Sequence, residues 1–235
     1  MSLTIAVSTS DKYLWCIRPF CYLLNKYWLP NPSVKIFGYK LPDFDIPDNF
    51  EFISIAKEQY SKDKWSNGII EMIGMIDTDH VLLLLEDYWI MSEVDSIAID
   101  TFHDYMHSLD DNFLYLSVCN ERINFRNNFY FVDLYEYVLM ESHSSSEYQM
   151  NFQTHIWNKK LMLENICENE DPWEAEIKGT HRLNLLGAKY RILFPTVSLI
   201  NYTIAMRNKV KDVVGLKRLS EVDKDYILSS EWIPK

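Results

Sequence analysis

The sequence predicts one α/β domain in which helices flank a mostly parallel central sheet. One observation is the run 81–85, Val-Leu-Leu-Leu-Leu, because five consecutive aliphatic side chains are typical of a strand buried on both faces. The other is the order of the segments, in which short apolar runs alternate with stretches of helical spacing. That alternation is typical of βαβ units, which build parallel sheets.

Each predicted element has a local pattern behind it. Strands are predicted where a short apolar run is bounded by polar or turn residues. These runs are 3–7, 34–39, 52–55, 81–85, 113–118, 192–194 and 197–204, with short antiparallel strands within 124–140. Helices are predicted where apolar residues recur every three or four positions. These stretches are about 12–26, 65–76, 93–109, 153–163 and the residues from Pro172 onward.

Capping residues and prolines set the helix boundaries. Asp11 and Ser92 precede two of the helices as N-caps, since their side-chain oxygens can accept a backbone N–H of the first turn. Asp171 has the same position before Pro172, and proline suits a first turn because the missing N–H has no partner there. The first helix ends before Pro30, which cannot continue it.

The size of the chain favours a single domain. At roughly 150 residues per domain, 235 residues allow one or two domains. A chain of this length buries roughly 70% or more of its unfolded surface, so it can form a sizeable core. We find no repeat, low-complexity tract or linker in the sequence. One domain over residues 1–235 is therefore the simplest interpretation.

Composition and charge disfavour several classes of function. The net charge of −11 disfavours nucleic acid as the main partner, since duplex binding draws on basic surface. The four cysteines form no C-x-x-C pair and indicate reduced thiols. There is no signal-peptide pattern, and no segment approaches the roughly 20 apolar residues of a membrane span. We therefore expect a cytoplasmic protein.

Two further features each have two interpretations. His103 and His107 are four residues apart on a predicted helix, a spacing that can hold a metal but that also fits a solvated helix face. Segment 209–218 is locally basic and is either a solvated loop or a segment that neutralises a diphosphate.

Glu86 and Asp87 follow the central apolar run directly. In open α/β sheets, ligands bind at the carboxyl ends of the strands, so this acidic pair is well placed to contact a metal or a sugar hydroxyl. The alternative is a pair of surface carboxylates that close a core strand.

Six stretches, in the same order along the chain, resemble small bacterial and phage-type glycosyltransferases of the GT-A fold. They are Ser10–Tyr13, Lys26–Trp28, Trp65–Ser66, Leu85–Tyr88, Gln153–Asn158 and Pro172–Glu176, and they are spread over most of the range 3–205. The resemblance implies a transferase that uses a nucleotide-diphospho-sugar donor. It also implies a nucleotide-sugar half over about 1–118 and an acceptor-side half, with a C-terminal segment, over about 119–235.

The resemblance implies a set of donor-binding residues in the first half. Ser8, Thr9 and Asp11 would lie near the base and ribose, and Trp65 is assigned to the same donor group. Such an enzyme must stabilise the charge that develops on the departing nucleoside diphosphate.

Glu86 and Asp87 would occupy the place of the D-x-D motif, which holds a divalent cation, Mn²⁺ or Mg²⁺, against the diphosphate. Here the sequence departs from the family pattern, because the two acids are adjacent and Tyr88 stands where the second acid should be. Adjacent side chains of a strand point to opposite faces, so both acids can bind one ion only if the strand ends there. Asp87 is therefore favoured over Glu86 as the metal or sugar contact.

For an inverting reaction, the resemblance implies a carboxylate base at the entry to a late helix. Asp171 is the first candidate, Glu176 the second and Glu170 the third. The helix dipole stabilises an anion at this position by about 0.3–1 kcal/mol, which makes a weak base unless neighbouring acids counteract the effect. The alternative for Asp171 is a plain N-cap.

Gln153, Trp157 and Trp173 are assigned to the acceptor by the same resemblance. The two indole rings could stack on sugar faces or pack in the core.

The expected function is transfer of a sugar from a nucleotide donor to a glycan or another hydroxyl acceptor. One alternative is a phage DNA glycosyltransferase acting on hydroxymethylated pyrimidine, which the basic segment 209–218 favours and the net charge disfavours. The other is a non-catalytic module that binds a sugar nucleotide or a carbohydrate, which Tyr88 in place of the second acid favours. The sequence does not identify the sugar, the nucleobase or the oligomeric state.

Overall fold

A computed structural model describes residues 3–108, 112–120, 129–207, 210–211 and 213–233 and has the α/β fold that the sequence predicts. The strands are β1 (Leu3–Ser8), β2 (Val34–Gly38), β3 (Phe50–Ser54), β4 (His80–Leu85), β5 (Tyr88–Ile90), β6 (Phe113–Ser117), β7 (Phe129–Leu134), β8 (Tyr137–Ser142), β9 (His155–Asn158), β10 (Arg191–Pro195), β11 (Tyr202–Ile204), β12 (Met206–Arg207) and β13 (Val210–Lys211). The helices are α1 (Ile17–Tyr27), α2 (Trp65–Gly74), α3 (Ser96–Ser108), α4 (Lys159–Asn165), α5 (Pro172–Leu185), α6 (Val213–Arg218) and α7 (Glu221–Ser229).

Nine strands form the central sheet in the order β3-β2-β1-β4-β9-β6-β10-β8-β7. The β1–β2, β2–β3 and β6–β10 pairs are parallel, as expected for βαβ connections. Strand β9 is antiparallel to both β4 and β6, and the β7–β8 hairpin lies at one edge. Strands β5 and β11 form a separate antiparallel pair. The predicted α/β class with a central sheet is confirmed.

The chain forms two compact units whose segments are interleaved in sequence. The first unit comprises Met1–Thr4, Tyr60–Leu83 and Ile97–Leu199. The second unit comprises Ile5–Gln59, Leu84–Ser96 and Ile200–Lys235. The division of the chain into functional halves near residue 118 stays a prediction.

Helix α1 begins later than the sequence predicted. A 3₁₀ turn occupies Asp11–Cys16, and α-helical geometry starts only at Ile17. Pro19 explains the difference, because it has no N–H to donate and is tolerated only in the first turn of an α-helix. The helix then buries Phe20, Leu23 and Leu24 in the second unit.

The helix predicted over 153–163 is wrong for its first half. His155–Asn158 form strand β9, and only Lys159–Asn165 are helical, with Asn158 as the N-cap whose Oδ1 accepts the Leu161 N–H at 3.1 Å. Ile156 and Trp157 are fully buried, so pairing with the neighbouring strands overrides the local helical pattern.

Two other sequence predictions change in detail. The strand predicted over 197–204 is limited to Tyr202–Ile204. The antiparallel strands predicted within 124–140 are confirmed at Phe129–Leu134 and Tyr137–Ser142, while 124–128 lie outside the described residues. The four cysteines are free thiols, and none of the described helices has the length and hydropathy to cross a membrane.

His103 and His107, the predicted pair on one helix, lie beside a third histidine in the first unit. The ring of His80 on β4 is 5.2 Å from that of His103 and 6.2 Å from that of His107, both edge to face. Within the described ranges, no three His, Cys, Asp or Glu side chains have metal-binding geometry. Burial, followed by the charges of His103 and His107, lowers the pKa of His80 to about 4 against an opposing effect of Asp79.

The C-terminal helix of the second unit is fixed by a buried carboxylate. Asp223 is fully buried and accepts hydrogen bonds from Lys26 Nζ at 2.5 Å, Tyr27 Oη at 2.5 Å and Tyr22 Oη at 3.0 Å. Ser220 Oγ donates to the same carboxylate at 2.5 Å. Burial acts to raise the pKa of Asp223, but these hydrogen bonds outweigh it and lower the pKa. Asp223 therefore joins α7 to α1 as an anion.

We expect His80→Phe to make the protein less sensitive to acid. His80 has a folded-state pKa near 4 and an unfolded pKa near 6.5, so its contribution is complete above pH 6.5 and is lost as pH falls toward 4. Urea unfolding at pH 7 and pH 4.5 measures the effect. The loss of unfolding free energy between these pH values should be about 2 kcal/mol smaller in the variant than in the wild type. The exposed His181, changed to Gln, is the control, and equal losses in all three proteins would contradict the assignment.

Asp223→Asn should destabilise the protein by about 3 kcal/mol, because it removes the charge that pairs with Lys26 in a buried network. The measurement is the free energy of unfolding at pH 7. Asp225→Asn is the matched control, since Asp225 is exposed on the same helix and its change should cost less than about 0.5 kcal/mol. A difference between the two variants below about 1 kcal/mol would show that Asp223 does not anchor α7.

Candidate functional site

Polar residues from two strand ends meet in the second unit. We call Ser8, Thr9, Asp11, Glu86 and Asp87 the donor-side cluster. Ser8 is the last residue of β1, Thr9 and Asp11 follow it, and the two acids follow β4, so all five lie at the carboxyl ends of neighbouring strands. This is the edge where open α/β sheets bind their ligands.

The two acids form a turn, because β4 ends at Leu85 and β5 begins at Tyr88. The Glu86 N–H donates to the Ser8 carbonyl at 3.2 Å, and the Ser10 N–H donates to Glu86 Oε1 at 3.4 Å. A turn removes the alternation of side chains that would send adjacent strand residues to opposite faces. The condition for Glu86 and Asp87 to act together, that the strand ends there, is therefore met.

Both acids lie in surroundings that favour their protonated forms. Burial raises the pKa of Glu86, and the charge of Asp87 adds to the effect. Burial also raises the pKa of Asp87 to about 7, against hydrogen bonds from its own backbone and from the Met206 N–H. No described basic side chain forms an ion pair with either acid. Two neighbouring carboxylates without a counter-charge would be stabilised as anions by a bound cation.

The Cys16 thiol lies near both acids. Burial raises its pKa most, and the charges of Glu86 and Asp87 raise it further. Both carboxylates are therefore close enough to one sulfur to act on it.

The other members of the cluster are held by backbone contacts. Asp11 Oδ1 accepts the Lys40 N–H at 3.0 Å, and the Asp11 N–H donates to Gln59 Oε1 at 2.8 Å. The Thr9 N–H donates to the Phe37 carbonyl at 2.8 Å. These bonds fix the loop after β1 against the end of β2.

Gly38 is a position beside the cluster that the sequence interpretation missed. A Cβ on Gly38 would lie 2.8 Å from Thr9 Cγ2 and 2.9 Å from the Phe52 ring, so only glycine lets the loop after β1 approach this closely. The sequence does contain a signal for this position, because Gly38 is one of only 6 glycines and it stands at the end of an apolar run, where glycine often marks a close approach of the backbone. Met206 was also missed, because a backbone N–H carries no sequence signal.

The donor-side cluster fits a divalent cation of the magnesium type. Such an ion needs only one or two protein carboxylates when phosphates and waters supply its other ligands. Glu86 and Asp87 provide those two carboxylates. Since no described group of three ligating side chains exists, the remaining oxygens would come from the donor and from water.

The candidate bases lie in the first unit, and each has a structural partner. Asp171 is the N-cap of α5 in a complete capping box: its Oδ1 accepts the Glu174 N–H at 2.9 Å, and the Glu174 side chain accepts the Asp171 N–H at 3.2 Å. The bond from Glu174, together with Lys62 at 3.4 Å, lowers the pKa of Asp171 despite partial burial. Asp171 is therefore a weak base in this arrangement.

Glu170 forms an ion pair that the sequence did not predict. Its two carboxylate oxygens accept Arg182 Nη1 at 2.7 Å and Nη2 at 2.9 Å, a bidentate pair. Its backbone N–H donates to Ser66 Oγ at 3.0 Å. Glu176, the other candidate, accepts the Phe152 N–H at 3.0 Å.

The tryptophan side chains assigned to the site differ in their exposure to solvent. Trp173 is 56% exposed, and Lys62 Nζ lies 4.3 Å from its ring centroid. Trp157 is fully buried against Tyr115, which agrees with the core alternative for this residue. Trp65 packs edge to face on Phe152 at 4.8 Å.

The structure thus places the predicted site residues in two groups. Gln153, which is buried, belongs to the first unit. The same unit holds the other acceptor-side and base candidates, together with Trp65, which the sequence interpretation assigned to the donor. The second unit holds the donor-side cluster.

No protein-family model and no curated protein matches this sequence. Solved structures do match. TarS residues 1–349 of S. aureus in complex with UDP has a TM-score of 0.56 at 15% identity, over 98% of this chain and 70% of that one. The same protein in complex with UDP-GlcNAc has a TM-score of 0.55 at 14% identity, and the match covers 98% of this chain and 71% of that one. A CMP:2-keto-3-deoxy-manno-octonic acid synthetase complexed with CTP has a TM-score of 0.48 at 13% identity, and the match covers 98% of this chain and 100% of that one.

At these identities the likeness to TarS concerns the fold. It agrees with the fold that the resemblance in the sequence motifs implies. The chain shares the overall α/β fold of TarS, a fold that in TarS accommodates UDP and UDP-GlcNAc.

Proposed function

We propose that this protein is a glycosyltransferase that moves a sugar from a nucleotide-diphospho-sugar to a hydroxyl of a glycan acceptor, with inversion at the anomeric carbon. The observation that carries the proposal is the Glu86–Asp87 turn. It presents two carboxylates without a basic partner among the described residues, beside the polar loop after β1. TarS, which has a similar fold, is described with UDP and with UDP-GlcNAc, and this supports a nucleotide-sugar ligand here.

In this proposal the chain's own residues have distinct tasks. Asp87, with Glu86, would hold a Mn²⁺ or Mg²⁺ ion, which supplies positive charge to the leaving diphosphate. Ser8, Thr9 and Asp11 bind the base and ribose through the loop that Gly38 allows to approach β2.

On the acceptor side, Asp171 takes the proton of the attacking hydroxyl, with Glu176 as the second candidate. Trp173 offers an exposed ring to the acceptor sugar. Asp171 can accept the proton only if acceptor binding weakens its bonds to Glu174 or Lys62, since those bonds stabilise the anion.

A non-catalytic protein that binds a sugar nucleotide is the second candidate function. This function is favoured because each candidate base already has a structural partner in the folded protein. Asp171 caps a helix, Glu170 pairs with Arg182, and Glu176 accepts the Phe152 N–H. Tight donor binding without product after long incubation with Mn²⁺ would support this function. The DNA-modifying alternative rests on segment 209–218, of which 209 and 212 lie outside the described residues.

Asp87→Asn is expected to lower the rate of donor hydrolysis or transfer at least tenfold in the presence of Mn²⁺, because an amide is a poor ligand for the cation. The same change should leave the melting temperature in EDTA at pH 8 unchanged or higher, since it removes a poorly solvated charge. Glu51→Gln, at an exposed position of the same unit, is the control for both measurements. A near-wild-type rate in Asp87→Asn would remove the donor assignment.

Asp171→Asn separates catalysis from capping. Asn caps helices as well as Asp, so the melting temperature should stay within about 2 °C of the wild type, whereas Asp171→Ala should cost about 1 kcal/mol. Transfer to an acceptor should fall at least tenfold in Asp171→Asn, with donor affinity unchanged, because the amide cannot take the proton. Wild-type transfer by this variant would move the base to Glu176, and Glu176→Gln tests that directly.

A further inference from the structure

A concave surface lies along α1 in the second unit. It has a volume of about 640 Å³, within the roughly 300–1,000 Å³ typical of small-ligand sites. Its walls come from one face of α1, from residues 44–47 and from Trp232 near the C-terminus. We call it the α1 groove. It shares no residue with the donor-side cluster.

Arg18 is the distinctive group in the α1 groove. Its guanidinium carbon lies 4.4 Å from the centroid of the Phe44 ring, and within the described part of the chain it forms no ion pair or hydrogen bond. A guanidinium stacked on an aromatic face is held in place while the N–H donors at its edge remain available. Such donors match the two oxygens of a carboxylate or phosphate.

The other charges of the groove leave Arg18 as its anion-binding group. Lys26 also lines the groove, but its ammonium is paired with the buried Asp223 at 2.5 Å. Asp45 is the acid among the lining residues, and it is exposed and forms no ion pair with Arg18. Among the described residues that line it, the groove therefore offers one unpaired cation, Arg18, which suits a ligand with a single oxyanion.

Two aromatic rings, together with Ile46 and Pro47, contribute apolar surface to the groove. Tyr22 and Trp232 line the groove, with their ring centroids 6.0 Å apart in an edge-to-face arrangement. Trp232 follows α7, and Tyr22 lies on α1. Because Asp223 joins α7 to α1 by hydrogen bonds, the two rings are held next to each other. Rings with partly exposed faces pack well against the C–H face of a sugar ring.

We propose that the α1 groove is a second binding site for a small anionic saccharide, a sugar ring that carries one phosphate or carboxylate. Arg18 binds the oxyanion through its N–H edge, and Trp232 with Tyr22 contacts the ring. The site is separate from the proposed transfer chemistry and does not require it. A peptide with an acidic side chain is the competing ligand, but the groove has the volume of a small-molecule site.

The test is isothermal titration of the full chain with glucose 6-phosphate and glucuronate, with glucose and inorganic phosphate as the two partial ligands. We expect at least one charged sugar to bind at least tenfold more tightly than glucose or phosphate alone. Preference for one charged sugar over the other identifies the anion. The same titration with UDP in Mn²⁺ reports on the donor-side cluster.

Matched variants locate the binding. Arg18→Met keeps an apolar stem over Phe44 and should weaken binding of the charged sugar at least tenfold, and Trp232→Leu should weaken it at least fivefold. Asp45→Asn removes a like charge and should leave binding unchanged or up to severalfold tighter. Asp87→Asn should leave it unchanged, which separates failure of this site from failure of the proposed transferase. Melting temperatures confirm that each variant is folded.

Three outcomes would overturn the proposal. The first is no binding of either charged sugar at millimolar concentration by the folded wild type. The second is equal affinity of Arg18→Met and wild type. The third is tighter binding of a short Glu-Tyr peptide than of either charged sugar, which would make the groove a peptide site.

Discussion

The ending of strand β4 is the constraint on which the donor-side cluster depends. The four aliphatic side chains from Val81 to Leu84 are buried, and the strand then ends at Leu85, one residue later. This abrupt exit puts Glu86 and Asp87 in a turn, where burial is still high enough to raise the pKa of both carboxylates. Had the strand continued by two residues, the acids would have pointed to opposite faces and could not have acted on one ion.

The same acids have an energetic cost in the ligand-free protein. A buried carboxylate without a counter-charge destabilises the folded state as an anion, and such strain is typical of functional positions. The acids of the first unit are different, since Asp171 caps a helix that lowers its pKa and Glu170 forms a bidentate ion pair with Arg182. Poorly stabilised acids therefore lie in the second unit and well stabilised acids in the first.

Asp223 has a comparable role for the C-terminal segment. Four side-chain donors converge on one buried carboxylate, so α7 is joined to α1 by charge and hydrogen bonding as well as by apolar contacts such as Ile227. Fixing α7 brings Trp232 beside Tyr22, and the α1 groove is completed by that placement. The groove thus exists because a residue about 200 positions from α1 in sequence is bound to it.

The sequence by itself determined the α/β class, the buried strand before Glu86, the helix start at Asp171 and the order of the motifs. These follow from local patterns: aliphatic runs, helical spacing and capping residues, whose physical preferences act over a few residues. The strand at His155–Asn158 did not follow from them, because pairing with β4 and β6 outweighs the helical pattern of its own residues.

Only the tertiary structure decided the contacts between distant residues. The approach of Thr9 to Gly38, the pairing of Glu170 with Arg182, the burial of Trp157 and the convergence on Asp223 all join positions that are far apart in the chain or depend on packing around them. Local sequence cannot specify which side chains meet across a fold, because that depends on how strands pair and helices pack. Residue type and spacing therefore determined the elements, and packing determined which of their side chains remain available for chemistry.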